Sequence, residues 1–146
     1  MRKPTTSSVS VFLVLIFILA QLPGCSRTVK ELRERDQTVI FLAKEPYQTV
    51  YKQITEQARQ CYQIGATMGH FVVQGNTYSD VRKGVITIAR IQSMTGSVRN
   101  DISANIEAVS DDLTRVTVYH DGAHRFIAEN MANWVLYGST NCGHTE

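Results

Sequence analysis

The stretch Val98–Ala108 reads VRNDISANIEA, and its side chains alternate between apolar and polar. The mostly apolar positions are Val98, Asn100, Ile102, Ala104, Ile106 and Ala108, and the polar positions between them are Arg99, Asp101, Ser103, Asn105 and Glu107. A period of two predicts a β-strand with one buried face and one face in water. Because a sheet with a wet face carries helices only on its other face, this strand predicts a two-layer antiparallel α+β fold.

Three further segments have the composition of strands on either side of this one. They are Phe71–Gln74, Val85–Ile91 and Leu113–Tyr119, separated by short stretches where Gly, Ser and Asp collect. Connections this short predict hairpins, so the four strands form a meander. Val39–Ala43 is either a fifth strand at the edge of the sheet or a segment that docks on the core.

One helix is predicted before the strands and one after them. Pro46 suits the first turn of a helix, and Gly65 is predicted to end it. Its apolar stripe is Tyr47, Val50, Tyr51, Ile54, Ala58 and Cys61. The second helix has Asp121 as its cap, ends at Gly138, and buries Ala123, Phe126, Ile127, Met131, Trp134 and Val135. The predicted order is α-β-β-β-β-α, with both helices on one face of the sheet and Trp134 between helix and sheet.

The amino terminus has the pattern of an export signal. Arg2 and Lys3 precede Val11–Ala20 (VFLVLIFILA), an apolar run without a polar residue. This run is too short for a transmembrane helix, which needs roughly 20 apolar residues. The stretch is therefore interpreted as a signal peptide.

The four residues Leu22–Cys25, just after the apolar run, match a known sequence motif. Leu22–Cys25 (LPGC) resembles the lipobox of bacterial lipoproteins, although Pro23 stands where Ala, Ser, Thr or an aliphatic residue is usual. The resemblance implies a diacylglyceryl group on Cys25 and cleavage after Gly24. Ser26 implies transfer to the outer membrane, on its periplasmic face, rather than retention at the inner one. The alternatives are an uncleaved anchor or ordinary secretion.

These assignments divide the chain into three parts. Residues 1–24 are the signal peptide, residues 25–38 are the lipidated cysteine with a charged, solvated tether, and residues 39–146 are a single periplasmic domain. Removing the two cations of the signal from the fifteen in the chain leaves thirteen basic against thirteen acidic side chains. A mature protein with a net charge near zero gives no argument for a nucleic-acid partner.

Cys61 and Cys142 remain after lipidation of Cys25, and in an oxidising compartment they are expected to form a disulfide. Two separate buried thiols are the alternative. Simple packing puts the carboxyl ends of the two helices at opposite edges, which conflicts with this bond. Either a hairpin is misread, or a helix crosses obliquely, or the tail after Gly138 folds back.

Potential metal ligands cluster at His120, Asp121 and His124. Because the strand is predicted to end at His120, the capping role of Asp121 is favoured, and no metal site is predicted. Cys61 lies on the apolar stripe, and Asp111–Asp112 is first a turn signal. No catalytic residues and no cofactor are predicted, so the protein is expected not to be an enzyme.

Two functions remain as hypotheses. The first is an envelope module, held at the membrane through Cys25, that binds an envelope protein partner. The two-layer plan is similar to the helix-on-sheet domains of accessory lipoproteins in outer-membrane assembly. The alternative is a module that binds a small or lipid-like ligand between sheet and helices, and an internal apolar cavity of roughly 300 Å³ or more would favour it.

Overall fold

A computed structural model describes residues 27–34, 37–63, 65–66, 69–92 and 95–143, so the lipobox and Cys25 lie outside the described residues. The fold is α+β, as predicted. Its elements are α1 (Val29–Arg33), β1 (Thr38–Ala43), α2 (Tyr47–Tyr62), β2 (Gly65–Ala66), β3 (Gly69–Tyr78), β4 (Lys83–Ile91), β5 (Val98–Ala108), β6 (Thr114–His120) and α3 (Arg125–Tyr137).

The sheet is antiparallel throughout, with the strand order β1-β6-β5-β4-β3-β2. The four predicted strands are β3 to β6, and the hairpin meander is confirmed. β1 pairs along its whole length with β6, from Thr38 opposite Tyr119 to Ala43 opposite Thr114. Val39–Ala43 is therefore an edge strand, and the sheet has five strands of ordinary length plus the two-residue β2.

The core lies between the sheet and the two long helices. Its fully buried members include Val50, Ile54, Ile86, Ile88, Ile102, Ile106, Val116, Val118, Met131 and Trp134. Trp134 is 0% exposed, as expected for a side chain between helix and sheet. The ring of Tyr51 lies directly on the backbone of β3 and β4. A Cβ on Gly84 would stand 2.6 Å from Tyr51 Cδ2, and one on Gly75 would collide with the Tyr51 hydroxyl. Only glycine permits this close approach.

β5 carries a β-bulge that the sequence pattern did not predict. Ile88 of β4 pairs with Ile102, but the next residue, Ala89, pairs with Asn100, so Asp101 is an extra residue. One extra residue reverses which face each preceding side chain occupies. Arg99, rather than Asn100, therefore shares the helix-covered face with Ile102. The expectation that Asp101 faces water is wrong, since it is 0% exposed.

The other face of the sheet is partly covered by α1, where a solvated tether was expected. Leu32 is 0% exposed, and Arg33 Nη2 donates to Asn105 Oδ1 at 2.9 Å. Ser103, predicted to be wet, is also 0% exposed. Thr28 begins the helix with a capping box that includes Glu31. A five-residue helix with one buried leucine has no repeating apolar stripe, so sequence periodicity cannot detect it.

The predicted disulfide between Cys61 and Cys142 is confirmed, with the two Cα atoms 5.1 Å apart. The tail after Gly138 folds back, which resolves the conflict with helix packing. Gly138 has φ +62°, the left-handed conformation that turns the chain out of α3. Trp134 Nε1 then donates to the carbonyl of Asn141 at 2.8 Å, and Asn130 Nδ2 donates to that of Gly143 at 2.9 Å.

Candidate functional site

Asp121 follows the last residue of β6 and gathers side chains from several parts of the chain. Its Oδ1 accepts hydrogen bonds from the backbone N–H of His124 at 3.1 Å and from His124 Nδ1 at 2.7 Å. Its Oδ2 accepts from Arg27 Nη1 and from Arg99 Nη2, each at 3.0 Å. Asp121 was predicted to cap the second helix; it caps the turn before α3, which begins later, at Arg125.

A second carboxylate, Asp101, lies beside the first because of the bulge. Its Oδ1 accepts from Arg99 Nε at 3.1 Å, and its Oδ2 lies 3.2 Å from Arg90 Nη2. Arg90 Nη2 is also 2.7 Å from His124 Nε2. We call this group the Asp–Arg–His cluster; it consists of Arg27, Arg90, Arg99, Asp101, Asp121 and His124.

The two carboxylates are buried, whereas two of the three arginine side chains reach the surface. The side chains of Asp101 and Asp121 are 0% and 2% exposed, and those of Arg90 and Arg99 are 39% and 41% exposed. Burial by itself raises the pKa of Asp121. Hydrogen bonding to His124 and the charge of that ring, followed by hydrogen bonds from Arg99 and Arg27, outweigh burial and lower the pKa from 3.8 to about 2. Asp121 is therefore an anion at neutral pH.

The cluster contains two of the three metal ligands considered from the sequence. Ligand atoms of Asp101, Asp121 and His124 lie within 4.8 Å of one another. His120 is not among them, since its Nδ1 accepts the N–H of Gly122 at 3.1 Å. Burial, followed by the charge of Arg125, lowers the pKa of His120.

The electrostatic balance of the cluster does not suit a metal cation. Three guanidinium groups already contact the oxygens of the two carboxylates, so a metal ion would meet a surplus of positive charge. The arrangement is that of an ion-pair network. It ties the segment before α1 to β4, to β5 and to the turn that leads into α3.

A second feature is the outer edge of β1, one of the two edges of the sheet. β6 pairs with one edge of β1, and within the described part of the chain no strand pairs with its other edge. Ile40 and Leu42 point to the face opposite the core and are 62% and 50% exposed. An extended strand with unpaired backbone groups and exposed apolar side chains is a template for pairing with another chain.

Two clefts on the described surface are open to solvent. One of about 430 Å³ is lined by Gln37, Thr38, His120, Gly122 and Arg125. Another of about 200 Å³ lies beside α1 and is lined by Arg33, Tyr78, Lys83, Gly84, Val85, Asn105 and Glu107. Neither is the enclosed apolar cavity that would favour the ligand-binding hypothesis.

Among the described residues, no helix has the length and apolar character to span a bilayer. No protein-family model matches the chain, and no curated protein is significantly similar to it. A functional proposal for this chain therefore rests on its own sequence and structure.

Proposed function

We propose that this chain is a non-enzymatic lipoprotein of the bacterial outer membrane, anchored through Cys25, whose periplasmic domain binds an extended segment of another envelope protein along β1. The observation that carries the binding role is the free edge of β1 with its exposed Ile40 and Leu42. The anchor is supported by the signal sequence and the lipobox-like LPGC stretch.

Strand addition suits this edge for two physical reasons. Backbone N–H and C=O groups of an added strand supply hydrogen bonds along β1, and alternate side chains supply specificity. The exposed apolar pair gives an incoming segment area to bury, at about 25 cal/mol per Å². Natural edge strands that avoid pairing carry charges, most often lysine, and the exposed positions 40 and 42 carry none.

The anchor predicts a specific mass. Protein extracted from membranes should begin at Cys25 and carry a diacylglyceryl group on its sulfur, with or without an acyl group on its new amino terminus. The Cys25→Ser variant should leave the outer-membrane fraction, because no acyl chain then holds it. Intact mass spectrometry and membrane fractionation measure both effects. An unmodified mature chain, or a Cys25→Ser variant that stays at the membrane, would contradict the anchor.

The edge predicts where a partner is crosslinked and how its affinity changes. A photo-crosslinking residue in place of Leu42 should capture one envelope protein in living cells. Binding of that purified partner should weaken about tenfold or more in the Ile40→Lys/Leu42→Lys variant, since two apolar contacts are lost and two charges are introduced. Val81→Lys is the matched control, because Val81 is 54% exposed but lies in the turn between β3 and β4.

The variants must remain folded for this comparison. We expect them to fold, because the side chains of Ile40, Leu42 and Val81 are all exposed. Equal urea midpoints for the wild-type protein, the double variant and Val81→Lys would establish it. Unchanged affinity in the double variant, or an equal loss in Val81→Lys, would show that β1 is not the binding edge.

A further inference from the structure

Arg27 is held firmly at one end of the domain. Its carbonyl accepts the backbone N–H of Asn100 at 3.2 Å and the side-chain Nδ2 of Asn100 at 2.7 Å. Its guanidinium donates to Asp121 at 3.0 Å, and its own side chain is only 14% exposed. The chain then enters α1, where Leu32 is fully buried. Arg27 is therefore part of the packed domain.

The chain between Cys25 and Arg27 is too short to act as a spacer. Two residue steps of a fully extended chain span at most about 7 Å. If Cys25 carries acyl chains in the bilayer, Arg27 lies at the level of the lipid headgroups. The domain then lies close to the membrane. A solvated tether over residues 25–38 would instead have let the domain stand away from it.

We propose that the end of the domain carrying the Asp–Arg–His cluster lies against the bilayer, with the guanidinium groups of Arg90 and Arg99 facing the lipid phosphates. This inference rests on the proposed lipidation of Cys25. It goes further by naming the surface that meets the membrane and the headgroup chemistry that it contacts.

The distribution of charge in the cluster suits this orientation. Its two carboxylates are buried, while Arg90 and Arg99 keep 39% and 41% of their side chains exposed. The part of the cluster that reaches the surface is thus positive, and three guanidinium groups outnumber two carboxylates. Guanidinium groups recognise phosphate oxygens in a bidentate geometry and are less strongly hydrated than ammonium groups.

β5 and β1 extend away from the end of the domain that carries the cluster. If that end lies on the membrane, the opposite end of the sheet faces the periplasm. Val98 begins β5 near the cluster, and Val109 follows its far end. Eleven residue steps of about 3.3 Å place the two about 35 Å apart. β1 runs in the same direction, from Thr38 opposite Tyr119 to Ala43 opposite Thr114, so its free edge stands upright and open to an incoming segment.

The two valines form a matched pair of probes. They are 44% and 49% exposed and lie at opposite ends of the same strand. With Cys61 and Cys142 in a disulfide and Cys25 acylated, Val98→Cys or Val109→Cys supplies a unique thiol for a fluorophore. The lipidated full-length protein is placed in phosphatidylethanolamine/phosphatidylglycerol vesicles that carry nitroxides at the headgroup or deep in the acyl region.

We expect the headgroup nitroxide to quench the fluorophore at position 98 several-fold more than the one at position 109, and the deep nitroxide to quench neither. Equal headgroup quenching at both positions, or stronger quenching at position 109, would overturn the orientation. Strong deep quenching at position 98 would overturn the contact at headgroup level. Intact mass of the same sample establishes whether Cys25 is acylated, so failure of the anchor is distinguished from failure of the orientation.

Discussion

Removing the disulfide between Cys61 and Cys142 should lower the free energy of unfolding by about 4 kcal/mol. The bond joins residues 81 apart in sequence, so without it the unfolded chain gains the conformational freedom of a long open loop. The effect is large because a domain of this size is typically stable by only about 5–15 kcal/mol. The Cys61→Ala/Cys142→Ala variant avoids leaving a lone thiol.

The same change should expose the only tryptophan. The tail that contains Cys142 supplies the acceptor for Trp134 Nε1 at Asn141 and the acceptor for Asn130 at Gly143. A tail that is no longer bonded to α2 is held only by such hydrogen bonds, each contributing about 1 kcal/mol. We therefore expect a red shift of Trp134 fluorescence under native conditions, in addition to the lower urea midpoint.

Urea unfolding in a Cys25→Ser background measures this effect without a membrane. Reduction of the Cys25→Ser protein with dithiothreitol should reproduce the double variant, whereas reductant should leave the double variant itself unchanged. A urea midpoint that does not move on reduction would show that the disulfide contributes nothing to stability. A lower midpoint without a fluorescence change would show that the tail stays in place by itself.

Local patterns in the sequence predict those parts of the fold whose residue pattern is set within a single helix, strand or turn. The apolar stripe from Tyr47 to Ala58 identifies α2, and the clusters of turn residues identify the hairpins. The disulfide is predicted from the expected oxidising compartment and from the number of cysteines, and lipidation of Cys25 remains a prediction. These inferences succeed because helix periodicity, turn chemistry and redox environment do not depend on distant contacts.

Local sequence patterns cannot predict the Asp–Arg–His cluster, because it is formed by contacts between residues that are distant in the sequence. Asp101 and Arg99 occupy their faces only because the bulge opposite Ala89 changes the register of β5. That bulge leaves no mark in the alternation of VRNDISANIEA. Arg27 reaches Asp121 across 94 residues, and α1 packs on the sheet through one buried leucine, Leu32. The one available signal was the cluster from His120 to His124, which drew attention to Asp121 and His124 but was interpreted as a helix cap.

Replacing Asp121 by asparagine should lower the free energy of unfolding by about 3 kcal/mol at neutral pH. The variant keeps the shape of the side chain but removes the charge that balances Arg27 and Arg99. One of its two oxygens becomes an NH₂ group, which cannot accept a hydrogen bond from a guanidinium. Losing one partner of a buried ion pair costs about 3–5 kcal/mol, and the partial exposure of Arg99 places this site at the lower end.

The wild-type protein should lose most of this contribution in acid. The pKa of Asp121 is about 2 in the folded protein against 3.8 for the free side chain, so the unfolded chain binds a proton more readily. Its stabilisation is complete above about pH 4 and disappears as the pH falls toward 2. At 1.36 kcal/mol per pKa unit, the loss is about 2 kcal/mol.

Urea unfolding of wild type, Asp121→Asn and Asp111→Asn at pH 6, 4, 3 and 2 separates the specific ion pair from general acid denaturation. Asp111 also contacts an arginine, Arg82, but its side chain is 97% exposed, and its replacement should change neither the midpoint nor the pH dependence. Asp121→Asn should be less stable at pH 6 and should vary less with pH, so that its curve approaches wild type near pH 2. Parallel pH curves for wild type and Asp121→Asn would mean that Asp121 titrates normally. The ion pair with Asp121 would then not help to fix Arg27 to the domain, and the two hydrogen bonds from Asn100 to the Arg27 carbonyl would hold this segment without it.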